Sequence, residues 1–196
     1  MDPVHVLLVS GSLRAGSTNS ALVRTAAAVA PAGVTTEIYE GLAGLPHFNP
    51  DEDAEGVEVP APVAAMRERF EAADAVLFST PEYAGALPGS FKNLLEWTVG
   101  SMAMYEKPAA WVNVAPPGRG GNADDSLRKV LGYVTADLAE DACVKLPMDR
   151  EAIGPDGEVG DPGYRAGVAA ALGALAGHVR RNRVPEPGAE PRSSLG

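Results

Sequence analysis

Short, continuous apolar runs alternate along this chain with stretches whose apolar positions recur every three or four residues. Val4 to Ser10 (VHVLLVS) is the first such run, closed by Gly11, and Asn19 to Ala30 follows with Leu22, Val23, Ala26 and Ala30 at helical spacing. Thr35 to Glu40 alternates as a second strand. Gly41 to Pro62 is rich in Pro, Gly and acidic residues and reads as mostly loop, of a length that is usually functional or mobile. Val63 to Ala72 carries Val63, Met66 and Phe70 on one helical face, and Ala75 to Ser79 (AVLFS) is a third strand stopped by Thr80 and Pro81. The pattern predicts further helices over Gly89 to Val99, Asp124 to Leu138 and Arg165 to Arg181, with strands over Ala109 to Val114 and Ala142 to Leu146.

This beat of strand and helix predicts an α/β fold, because parallel strands need crossover connections and bury both faces of their sheet. Five strands wound in the common doubly wound manner give a flavodoxin-like three-layer α/β/α domain with strand order 2-1-3-4-5. In that arrangement a ligand binds beyond the carboxyl ends of the strands, where the winding reverses beside the first strand. One domain over residues 1–182 is expected, with residues 183–196, which hold three prolines and no periodicity, as a disordered tail.

Composition narrows the partners. A net charge of -10 and a pI near 4.7 repel nucleic-acid phosphates, and the cations cluster only at Arg180, Arg181 and Arg183. No stretch approaches the ~20 apolar residues that span a bilayer. Met1 to Pro3 leads straight into a strand, so the expectation is a cytoplasmic protein that binds neither nucleic acid nor membrane. Cys143 stands alone, without a CxxC motif, and reads as a small buried residue. His5, His47 and His178 lie far apart with no metal-ligand spacing, so no metal is expected.

The crevice rule directs attention to the loops after the first, third and fourth strands. After the first comes Gly11-Ser12-Leu13-Arg14-Ala15-Gly16-Ser17-Thr18-Asn19-Ser20, with two glycines, four hydroxyls, an amide and a guanidinium at a helix start. Backbone amides and the helix dipole there attract an anion, hydroxyls of Ser12, Ser17 and Ser20 add donors, and Arg14 adds charge. A capped helix beside a solvated arginine is the plainer alternative. Gly11 to Thr18 nearly matches the triphosphate loop GxxxxGK[ST], but Ser17 occupies the lysine position, which argues against a triphosphatase. Gly118-Arg119-Gly120-Gly121-Asn122-Ala123 formally fits GxGxxA, yet it follows the fourth strand and reads as a flexible glycine turn.

After the third strand stands Thr80-Pro81-Glu82-Tyr83-Ala84-Gly85-Ala86-Leu87-Pro88-Gly89-Ser90-Phe91-Lys92-Asn93-Leu94-Leu95-Glu96-Trp97. Together with GSLRAGSTNS this segment resembles the NADPH-dependent FMN reductase family, which includes quinone, azo-dye and chromate reductases. The family pattern is GSxRxxSxN after the first strand and PEYNxSxPGxLKNxIDW after the third, and the similarity spans about residues 4 to 180.

The resemblance implies non-covalent FMN, NADPH or NADH as reductant, and a small-molecule acceptor such as a quinone, free flavin, azo compound or metal oxyanion. It also implies a homodimer, or a homotetramer built from dimers. By the same resemblance Ser12, Arg14, Ser17, Asn19 and Ser20 hold the flavin phosphate. Pro81, Glu82, Tyr83, Ala84 and Gly85 lie along the isoalloxazine ring, and Gly118, Gly120 and Gly121 pass near its far side. The flavin would carry the redox chemistry, with no catalytic side chain required; Glu82 as a general acid is the lesser reading. Ala84, Ala86 and Ala115 depart from the family's usual asparagine and serines and remove side-chain donors near the ring.

The resemblance places the loop of His47 and Phe48 near the neighbouring subunit's flavin, while Trp97 fits core or dimer interface equally. Arg119 is a candidate partner for the additional phosphate of NADPH. A non-enzymatic flavodoxin-like carrier and a flavin-free interaction module on the same fold are the competing functions.

Overall fold

The computed structural model describes residues 2–182, so the tail expected over 183–196 lies outside the described residues. Six strands, β1 (Val4–Ser10), β2 (Val34–Tyr39), β3 (Ala75–Ser79), β4 (Pro108–Asn113), β5 (Asp137–Leu138) and β6 (Val144–Lys145), form one sheet whose pairings are all parallel. The order is β2-β1-β3-β4-β5, with β6 also pairing β4. Five helices cover it: α1 (Thr18–Ala28), α2 (Ala61–Ala72), α3 (Gly89–Trp97), α4 (Gly121–Tyr133) and α5 (Pro162–Asn182).

Alternation within the strands builds a core on each side of the sheet. Val4, Val6 and Leu8 of β1 join Ala75 and Leu77 of β3 and Ala110 and Val112 of β4 beneath α1 and α5. Leu7 and Val9, Val76 and Phe78, and Ala109 and Trp111 face the other way, beneath α2, α3 and α4. With both faces covered, β1 and β3 read as nearly unbroken apolar runs, which is why their limits were legible.

The fifth strand differs from the expectation. Helix α4 ends at Tyr133 rather than Leu138, and the fifth position of the sheet is shared by two-residue strands β5 and β6 with a short 3-10 turn over Glu140–Ala142 between them. The stop is a Schellman turn: Thr135 sits in the left-handed region at φ 57, its N–H donates to Gly132 O, and Ala136 N–H donates to Leu131 O. That position usually belongs to glycine, so a threonine there conceals the helix end. Helix α5 starts three residues before the expected Arg165, because Asp161 Oδ1 accepts from Tyr164 N–H at 2.7 Å and Pro162 stands at the first helical position. The long loop after β2 contains two short 3-10 turns, Gly41–Gly44 and Pro50–Glu52. It is pinned to α3: Pro46 O accepts from Asn93 Nδ2 and Trp97 Nε1, and Phe48 N–H donates to Asn93 Oδ1 at 2.7 Å.

Candidate functional site

Strand β1 leaves the sheet against the start of the loop after β3. A Cβ on Gly11 would lie 2.8 Å from Thr80 Cβ and 2.9 Å from the Phe91 ring, so only glycine lets the two loops approach this closely. Beyond this crossing a cleft of about 1000 Å3 opens at the carboxyl end of the sheet. Arg14, Thr18 and Asn19 form one wall, Thr80, Pro81 and Glu82 another, Val114 to Pro116 and Gly118 to Asn122 a third. Met148 to Glu151, after β6, completes it.

Two helices begin at this cleft, and they differ in one decisive respect. At α1, Ser17 Oγ accepts from Asn19 N–H and Ser17 O from Ala21 N–H. Among the described residues nothing accepts from the Thr18 and Ser20 amides, and the Arg14 guanidinium has no partner. The positive end of α1 is therefore open to an anion. At α4 the corresponding donors are taken: Glu82 Oε2 accepts from Asn122 N–H at 3.1 Å and Ala123 N–H at 3.3 Å, and Glu82 Oε1 accepts from Asn122 Nδ2 at 2.9 Å. Those bonds, the Asn122 side chain first, hold the Glu82 carboxyl below the ordinary glutamate range.

The predicted residues divide into three groups. Arg14, Asn19, Pro81, Glu82, Gly118, Gly120 and Gly121 line the cleft. Ser12 and Ser20, with Arg14 again, line an adjoining hollow of about 330 Å3 beside Tyr39. Ser17, Tyr83, Ala84 and Gly85 line neither.

Several of these side chains serve the scaffold. Ser20 Oγ lies 3.1 Å from Ser10 Oγ, and Ser12 Oγ accepts from Arg14 N–H. Asn19 Oδ1 accepts from the buried Ser79 hydroxyl at 2.9 Å, which leaves Asn19 Nδ2 as the donor available to the cleft. Tyr83 to Ala86 is a tight turn closed by reciprocal backbone bonds of 3.0 and 3.1 Å, with Ala84 at φ 51, Gly85 at φ 74 and Tyr83 half exposed.

Gly118 and Gly120 both adopt positive φ, 78 and 79. A Cβ at Gly120 would come within 2.7 Å of Asn113 Nδ2 and Ala115 Cβ. Asn113 in turn donates to Gly120 O and to Asp124 Oδ2, so the end of β4 is tied directly to the start of α4.

Sequence reasoning passed over Met148 to Glu151. Arg150 Nη2 donates to Gly16 O at 3.2 Å and thereby joins this segment to the loop after β1. The only available signal was position, since this segment follows the last strand and every loop at that end of the sheet is eligible. Trp97 is fully buried, its ring in edge contact with Phe48 at 5.0 Å, and His47 is exposed. Among the described residues no metal-binding cluster of His, Cys, Asp and Glu occurs, and no helix is long and apolar enough to cross a membrane. Burial raises the Cys143 thiol, which disfavours the thiolate a nucleophile needs.

Comparison with known proteins adds a second line of observation. The family model for NADPH-dependent FMN reductase matches residues 4–149. An NAD(P)H-dependent FMN reductase of Pseudomonas aeruginosa is 34% identical over 186 residues, covering 93% of this chain and 98% of that protein. A quinone reductase of Pseudomonas putida is 34% identical over 146 residues, 72% of this chain and 74% of that protein. Among solved structures, the flavoenzyme NAD(P)H:(acceptor) oxidoreductase FerB from Paracoccus denitrificans superimposes with a TM-score of 0.76 at 28% identity, covering 91% of this chain and 98% of that one.

Proposed function

The chain belongs to the NADPH-dependent FMN reductase family, and on that premise we propose that it passes electrons from NAD(P)H through bound FMN to a quinone-type acceptor. It is an oxidoreductase with FMN and NAD(P)H as cofactors. The observation that carries the residue assignment is the contrast between two helix starts at one cleft, α1 open and α4 closed by Glu82.

The donor set fits a mononucleotide. The free amides of Thr18 and Ser20, the unpartnered Arg14 and the Asn19 amide would receive the phosphate. Ser12, Ser17 and Ser20 would support it by shaping the loop, since their hydroxyls already contact Arg14 N–H, Asn19 N–H and Ser10. The backbone of Pro81, Glu82, Tyr83, Ala84 and Gly85 would lie along one side of the ring, and Gly118, Gly120 and Gly121, free of side chains, would lie across from it. Bound FMN supplies the hydride acceptor and electron donor of the reaction, so the chain's task is to bind, orient and leave one ring face open. Fixed N–H groups at a ring edge that gains negative charge would favour the reduced form. No aromatic side chain lines the cleft among the described residues, which favours an open enzyme site over the shielded ring of an electron carrier.

A quinone as acceptor is supported by the Pseudomonas putida relative; free flavin, azo compounds and metal oxyanions are the alternatives that steady-state assays would rank. A dimer would cover some of Val99, Met102 and Tyr105, all exposed in the one short segment that follows α3, and sedimentation of the full chain tests it. Work on NAD(P)H fits the cytoplasm, which fractionation would check.

The central experiment is reconstitution. The purified chain should take up FMN, show a flavin spectrum and be bleached by NADPH or NADH, then recover colour on adding quinone. Arg14→Ala should weaken FMN by about 10- to 100-fold, the worth of one charge-assisted hydrogen bond. A protein that takes up no FMN, or an Arg14→Ala variant that binds it unchanged, overturns the assignment.

A further inference from the structure

Glu82 stands in the loop after β3, yet its side-chain hydrogen bonds all go to the first turn of α4, forty residues away in sequence. The carboxylate takes three donors from two residues, Asn122 and Ala123, and supplies the cap that Gly120 at the N-cap position lacks. The loop of Pro81 to Gly85 and the loop of Gly118 to Gly121 are otherwise held by different strands, β3 and β4. No other side-chain bond between them is present among the described residues.

We propose that Glu82 is a positioning residue for the flavin ring: its carboxylate ties the loop after β3 to the start of α4, so that the two ring-facing backbones keep a fixed separation. This rests on the flavin reading above and adds a role for a side chain that is neither acid, base nor phosphate ligand. Glutamine keeps the shape of Glu82 but removes the charge and replaces one acceptor oxygen with a donor. It therefore faces donors with a donor, and the two loops lose their tie.

The test uses the full chain freed of flavin, titrated with FMN and with riboflavin, which has the ring but no phosphate. In Glu82→Gln both affinities should fall about tenfold while their ratio stays at the wild-type value; in Arg14→Ala the ratio should collapse because only FMN is weakened. At saturating FMN the visible spectrum of Glu82→Gln should also move toward that of free flavin. Loss of fold stability cannot do that in a variant with native far-UV circular dichroism. Asn122→Ala, which removes one of the three donors, should shift the spectrum in the same direction, and the double variant should go little further than Glu82→Gln alone.

Wild-type riboflavin affinity and an unchanged bound-flavin spectrum in Glu82→Gln would overturn the proposal while leaving the flavin reading intact. Failure of the wild-type chain to bind either flavin would instead overturn the functional reading, and this inference with it.

Discussion

Ala84 occupies a backbone conformation that alanine tolerates poorly. With φ 51 at Ala84 and φ 74 at Gly85, the turn from Tyr83 to Ala86 has two consecutive left-handed residues, the mirror-image hairpin turn that favours Asn-Gly or Gly-Gly. An L-residue with a Cβ costs about 1–2 kcal/mol there, and glycine recovers that less the entropy of a freer unfolded chain. Ala84→Gly should therefore stabilise the fold by about 0.5–1 kcal/mol, read as a higher Tm; a lower Tm would contradict the turn geometry. Ala84→Asn should act in the same direction, so the departure from the family pattern weakens the turn itself as well as removing a donor.

Glu82 gives a pH prediction at the same scale. Its folded pKa lies below the ordinary 4.5, so its contribution is present above that value and is lost as pH falls through the lower folded value. The Tm gap between wild type and Glu82→Gln should hold steady from pH 7 to about 5 and narrow below 4.5. A gap that widens on acidification would mean the carboxyl binds α4 better when protonated. Residue types in the loop after β1 were legible in the sequence, but the direction in which each side chain points was not. Ser20 turns to Ser10, and Asn19 to a buried serine on β3, because these hydrogen bonds depend on partners as distant as sixty positions along the chain.

Among the elements, α4 shows why boundaries were harder to read than cores. Its start needs Gly120 in a left-handed conformation against Asn113 and Ala115, and its end needs Thr135 in the same region. A GxGxxA string gives no hint of either. The glycines are also unequal. Gly120→Ala forces a Cβ to within 2.7 Å of Asn113 Nδ2 and should cost about 1–3 kcal/mol, with weaker flavin binding as the β4–α4 connection shifts. A Cβ at Gly121 meets nothing within 4 Å, and its φ is not positive, so Gly121→Ala should leave stability unchanged or slightly raised. Thermal melts of the two variants side by side decide the matter, and equal losses would argue that Gly120 is not the pivot. In contrast, β1 and β3 were read to the residue, since a doubly covered strand leaves a continuous apolar signature that no turn chemistry disturbs.

Across the whole molecule, winding order was legible because alternating strands and helices with right-handed crossovers leave few arrangements. The cleft was legible only in part, since Met148 to Glu151 enters it through topology alone. A thermodynamic consequence follows from how the cleft is built. Strands β1, β3 and β4 pair with one another and are covered by helices on both faces, with only Val114 and Met148 of the cleft lining packed into that core, whereas the cleft's walls come from four separate connections joined by a few bonds such as Glu82 to Asn122 and Arg150 to Gly16. The flavin-free chain should therefore fold, and FMN should stabilise it by mass action alone, about 2.7 kcal/mol at one hundred times its Kd. For a domain of this size that corresponds to a Tm rise of about 5–11 °C. Hydrogen exchange should slow on FMN binding in the loops after β1, β3 and β4, while the central strands, already protected by burial, change little. Arg14→Ala should need proportionally more FMN to reach the same rise. A flavin-free chain without a cooperative transition would mean instead that the ligand completes the core, which the fully buried interior of β1 and β3 argues against.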